Sequence, residues 1–148
     1  MKLCILENDD LDPAVAPIYC GYGAMFERLF KIAGASSWQF DIFHTPTGNY
    51  PNSFEDYDAV LLTGSKADSF SQDEWVLELR RRVDLLLRQK KKLLGICFGH
   101  QLIALCLGSN VGRAPQGWGV GRMTYNWHGT KALTSTANQT MALLLVPV

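Results

Sequence analysis

Cys97 stands between Gly95 and Gly99 in the stretch LLGICFGHQLIALCLG, residues 93–108. The apolar run Leu93 to Ile96 predicts a strand. Leu102, Ile103, Ala104, Leu105 and Leu107, closed by Gly108, predict a helix. Between them, Gly95 and Gly99 permit a turn in which a Cβ would clash. Such a strand–turn–helix unit lifts the Cys97 sulfur to a helix N-terminus. Unpaired N–H groups and the positive end of the helix dipole there favour a thiolate. The geometry is that of a nucleophile elbow, and the chemistry is covalent attack on a carbonyl carbon. A free cysteine is often simply buried, but its two flanking glycines argue for the elbow.

An acyl-transfer nucleophile needs N–H donors for the oxyanion it creates. The main-chain N–H of Phe98, at the helix start, is one candidate. Gly64-Ser65 follows a second apolar strand, Ala59 to Leu62, and so lies at the same kind of strand end. The residues alone leave Gly64-Ser65 open between an ordinary strand-to-helix turn and a functional one. His100 is near Cys97 in sequence, yet its position on the helix points it away from the sulfur, so a structural role is expected.

G-I-C-F-G-H-Q (Gly95 to Gln101), with L-L-T-G-S (Leu61 to Ser65) upstream and G-W-G-V-G (Gly117 to Gly121) downstream, resembles the class I glutamine amidotransferases. The likeness is to their small stand-alone, GMP-synthase-like members. It implies a flavodoxin-like α/β fold, a three-layer sandwich with a mostly parallel sheet flanked by helices. It implies that Cys97 attacks the side-chain amide of L-glutamine through a thioester, releasing ammonia to an accepting partner enzyme or domain. By the same resemblance Ser65, held by Gly64, supplies the second oxyanion donor and Gln101 contacts the glutamine. Gly117 and Trp118 line its pocket, and no cofactor or metal is required.

That family activates its cysteine with a histidine and a glutamate from an H-x-E motif. No H-x-E occurs in this sequence, whose three histidines are His44, His100 and His128. The expectation is therefore the front portion of an amidotransferase domain, its C-terminal part missing, with little or no glutaminase activity and part of its sheet uncovered. Two alternatives stand beside it: a non-catalytic relative that binds glutamine or a protein, and a cysteine hydrolase of other γ-glutamyl amides.

The elements that must position these residues are legible in order. Leu3 to Leu6 predicts a first strand, ended by Glu7-Asn8-Asp9-Asp10, and a loop with Pro13 and Pro17 follows. Ala24 to Ala33 has helical spacing, Trp38 to His44 alternates like a strand, and Asp73 is expected to cap a helix reaching Gln89. His44 reads as a polar strand end. Arg122 to Trp127 predicts an antiparallel addition and Met141 to Val146 a last strand. Strands alternating with helices imply parallel βαβ units, with functional atoms at the carboxyl ends of the strands.

The chain has 148 residues, 47% of them apolar, and a formal net charge of +0, which predicts one domain over 1–148 and argues against a nucleic-acid binder. Arg80-Arg81-Arg82 and Lys90-Lys91-Lys92 read as a solvated helix face and a complement to the helix dipole. Four cysteines without a C-x-x-C pair favour a reduced, cytoplasmic protein. The N-terminus carries no leader pattern, and no apolar stretch is long enough for a bilayer.

Overall fold

The computed structural model describes residues 1–113 and the backbone of 141–143. Five strands form one sheet in the order β2-β1-β3-β4-β5: β1 Lys2–Glu7, β2 Gln39–His44, β3 Ala59–Leu62, β4 Lys92–Ile96 and β5 Met141–Leu143. Every pairing is parallel, with Leu6 opposite Leu62, Leu62 opposite Gly95, and Ile96 opposite Leu143. The helices are α1 Ala16–Tyr19, α2 Tyr22–Ile32, α3 Glu74–Arg88 and α4 Phe98–Cys106.

Alternation along the strands divides the core into two sides. Cys4, Leu6, Val60, Leu62 and Leu93 pack against Val76, Leu79, Val83 and Leu86 of α3 and Phe98, Leu102 and Ile103 of α4. Leu3, Ile5, Ala59 and Leu61 face the other way, onto Phe26 and Phe30 of α2. This is the expected α/β architecture of helices on both faces of a parallel sheet. The strand order reverses at β1–β3, where parallel sheets open a crevice beyond their carboxyl ends. Cys97 follows β4, the next strand along.

Several local expectations are corrected. The predicted loop before α2 contains the short helix α1, with Pro17 in its first turn, where a fixed φ and a missing N–H cost nothing. Helix α2 starts at Tyr22 because a carboxylate of β1 receives it: Glu7 Oε1 accepts the Gly23 N–H at 2.8 Å. Asp73 occupies the N-cap of α3 without a side-chain capping bond. Its own N–H is taken instead by Ser71 Oγ at 3.1 Å. The basic runs do lie on the surface, with Arg80, Arg81, Lys90 and Lys92 exposed, and some of their members are paired. Arg81 and Arg82 pair with Glu78 at 3.0 and 2.7 Å, and Lys91 Nζ donates to the Tyr57 carbonyl at 2.7 Å. Gly117, Trp118, His128 and the predicted addition at 122–127 lie outside the described residues.

Candidate active site

The turn between β4 and α4 is as tight as the glycines suggest. A Cβ on Gly95 would lie 2.6 Å from the His100 main-chain nitrogen, and one on Gly99 2.5 Å from the Leu62 carbonyl oxygen. Both obstacles are backbone, so neither position accepts a side chain. Cys97 between them takes φ 49 and ψ −109, a conformation L-residues avoid, and its carbonyl accepts the Gln101 N–H at 3.0 Å. Trp75 of α3 stacks on Phe98, their ring centroids 5.6 Å apart, and holds the first residue of α4 down.

Gly64 lies across from this turn: a methyl group there would touch Cys97 Cβ at 3.5 Å. The thiol is half-buried. The Phe98 main-chain N–H beside it lowers its pKa, but loss of water is the larger effect and pushes the thiol above its ordinary value. The expected ionisation by the helix end is thus reversed by desolvation. Burial holds the His100 imidazole below its ordinary pKa. His44 stands apart, its Nε2 3.1 Å from Asp10 Oδ1 and its Nδ1 3.3 Å from Thr47 Oγ1, in keeping with a polar strand end.

Gln101 is not a free surface side chain. Ser69 Oγ donates to its Oε1 at 3.3 Å, and Ser69 is itself buried. Sequence reading missed Ser69, because a serine in a loop carries no periodic signal. Nor does the polar run Asn8-Asp9 show in the sequence more than the end of β1. Asn8, 1% exposed, donates its main-chain N–H to Thr63 Oγ1 and its Nδ2 to the Thr63 carbonyl, both at 2.9 Å, while its Oδ1 accepts from Thr45 Oγ1 at 2.8 Å. Asp9 Oδ2 accepts the Lys66 main-chain N–H at 2.7 Å and the Ser65 hydroxyl at 3.4 Å, and its Oδ1 lies 3.1 Å from Lys66 Nζ. The polar run ending β1 therefore grips the Gly64-Ser65 loop. A signal existed: it follows a strand adjoining the topological switch point.

An apolar groove of about 710 Å³, lined by Tyr19, Tyr22, Phe26 and Ile32, reaches Gly64 and Ile96 beside the turn. Among the described residues no group of His, Cys, Asp or Glu could hold a metal ion, and no helix is long and apolar enough to cross a membrane. The thiol, the Phe98 N–H beside it and Gly64 across from it are thus brought together at the end of β4.

The family model for glutamine amidotransferase class-I matches residues 22–143. Gamma-glutamyl peptidase 5 of Arabidopsis thaliana is 36% identical over 102 residues, covering 68% of this chain and 41% of that protein. A component of the glutamine-hydrolyzing GMP synthase of Methanocaldococcus jannaschii is 59% identical over 32 residues, 22% of this chain and 17% of that one. Among solved structures, a glutamine amidotransferase from Thermotoga maritima superposes with a TM-score of 0.64 at 23% identity, covering 82% of this chain and 49% of that chain. The chain spans about two fifths (41%) of the length of the Arabidopsis relative.

Proposed function

The chain belongs to the class I glutamine amidotransferase family, and from that premise we propose that Cys97 is the nucleophile of a site that cleaves the side-chain amide of glutamine. The observation that carries this reading is the strained Cys97 turn at the start of α4, packed against Gly64.

In the proposed reaction the Cys97 sulfur bonds to the γ-carbonyl carbon, and the carbonyl oxygen takes up negative charge between the N–H groups of Phe98 and Ser65. Collapse breaks the carbon–nitrogen bond. The thiol's proton leaves with the nitrogen as ammonia, a thioester remains, and water hydrolyses it. Gln101, steadied by Ser69, orients the glutamyl group. Gly117 and Trp118 complete the pocket in this reading, and the ammonia serves an accepting enzyme or domain. No H-x-E pair exists in the sequence to take the thiol proton. The expected turnover of this chain is accordingly slower by several orders of magnitude than that of a complete triad.

A second reading has its own support. The name of the Arabidopsis relative denotes cleavage of γ-glutamyl peptides, and the apolar groove reaches Gly64 and Ile96, next to the Cys97 turn. A leaving group larger than ammonia would lie in that groove.

Labelling with 6-diazo-5-oxo-L-norleucine followed by peptide mapping tests both. The expected result is modification of Cys97, abolished by Cys97→Ala and slowed by glutamine. Protection by γ-glutamylphenylalanine at lower concentration than by glutamine favours the peptide reading. Labelling spread over Cys20 and Cys106, indifferent to either compound, rejects both.

A further inference from the structure

We propose that Asp9 is a positioning residue for the oxyanion-binding peptide between Gly64 and Ser65, acting with Asn8 to hold that peptide from both sides. The inference rests on the amide-cleavage reading and names a part of the site that the nucleophile motif does not contain.

The geometry is a bracket. On the upstream side Asn8 fixes Thr63 through two bonds of 2.9 Å, one to its hydroxyl and one to its carbonyl. On the downstream side Asp9 accepts the Lys66 N–H at 2.7 Å and the Ser65 hydroxyl at 3.4 Å. The Ser65 hydroxyl in turn accepts the Ala67 N–H at 3.1 Å, closing a small turn. Only the Gly64-Ser65 peptide lies between the two anchors. Its carbonyl, that of Gly64, accepts the Thr63 hydroxyl at 3.1 Å, while its Ser65 N–H is bonded to no acceptor among the described residues.

Charge fits the same arrangement. A carboxylate close to a developing oxyanion would oppose it, but Lys66 Nζ sits 3.1 Å from Asp9 Oδ1 and offsets that charge. The Asp9 side chain is 12% exposed whereas that of Lys66 is 83% exposed, so the acid is fixed in the fold and the ammonium supplies a solvated counter-charge. An aspartate is suited to this place because it takes a main-chain N–H and an ammonium on separate oxygens.

Two measurements on the full chain test the proposal, each on Asp9→Ala and Asp9→Asn. The first is the rate of Cys97 labelling by the chloroketone analogue of glutamine, divided by its rate with iodoacetamide. In both reactions a carbon–sulfur bond forms, halide leaves with its electron pair, and the thiol proton passes to solvent. Only the chloroketone presents a carbonyl oxygen at the glutamyl position. The second is hydrogen exchange at the Lys66 amide, with the Ile5 amide as the control for an intact sheet.

Asp9→Ala is expected to lower the labelling ratio about tenfold or more and to speed Lys66 exchange about tenfold, with Ile5 unchanged. Asp9→Asn keeps an acceptor oxygen and should restore both to within about twofold of wild type. Lys66 exchange unaltered in Asp9→Ala overturns the bracket whatever the chloroketone does. Faster exchange with an unaltered ratio overturns the positioning role. A wild-type ratio near that of free cysteine instead rejects the amide-cleavage reading, and exchange alone then decides whether Asp9 holds the loop.

Discussion

Burial and the Phe98 N–H act in opposite directions on the Cys97 thiol, and burial is the larger influence. The thiol therefore releases its proton above its ordinary value of 9.0. Since the thiolate is the attacking species, alkylation by iodoacetamide should still be rising at a pH where free cysteine has levelled off. Comparing pH–rate profiles for Cys97 and the exposed Cys20 measures this, and an inflection at Cys97 below that of Cys20 would contradict it. Asn8 is the buried polar group with most at stake. Asn8→Ala removes the side-chain bonds that tie the end of β1 to the Thr63 carbonyl and to the Thr45 hydroxyl. It strands the Thr63 carbonyl in the core, whereas the Thr45 hydroxyl keeps its bond to the Glu7 carbonyl. The expected loss is about 2 kcal/mol in urea unfolding, since a buried group left unsatisfied costs more than a bond contributes.

At the level of the elements, the β4–α4 turn and the end of α3 carry opposite lessons about backbone. Gly95→Ala and Gly99→Ala each drive a methyl group into main-chain atoms that cannot yield. Each should cost about 3 kcal/mol or more, visible as a lowered urea midpoint. Lys90, by contrast, takes φ 56 just past α3, a left-handed place that glycine fills without strain. Lys90→Gly should add about 0.5–1 kcal/mol, the relief of strain exceeding the added freedom of the unfolded chain. A thermal midpoint that falls would show that the lysine side chain contributes more than its backbone costs. These two sites were unequally visible in the sequence. Gly95 and Gly99 bracket a cysteine inside an apolar pattern and could be read directly. A left-handed lysine looks like any other member of a basic run.

For the whole molecule, the parallel α/β layering was legible because β1, β3 and β4 are continuous apolar runs and α2 and α3 keep a helical stripe. What could not be read was contact between distant polar residues. Asn8 and Asp9 meet residues 63–66 across more than fifty positions of sequence, and Ser69 meets Gln101 across thirty-two. No local pattern encodes such pairs, because the register of the sheet creates them. The same close packing makes stability depend on pH. Burial lifts the Cys4 thiol from 9.0 to about 12. A folded-state pKa raised above the unfolded one leaves full stability below the unfolded value and removes it as pH climbs toward the folded one. Unfolding free energy should thus decline above about pH 9, by at most about 1.4 kcal/mol per pH unit from this thiol. Cys4→Ala should flatten that decline in urea titrations at successive pH values.

The Leu62 carbonyl pressed against Gly99 has a consequence for how the protein comes into being. As the polypeptide leaves the ribosome, Cys97 emerges as an ordinary cysteine on a pliable thread. Nothing nearby in sequence can give it its posture, which depends on a strand made more than thirty residues earlier already being seated in the sheet. The turn that seats Cys97 forms only when the sheet closes, so a chain caught half-made exposes a thiol in no fixed posture.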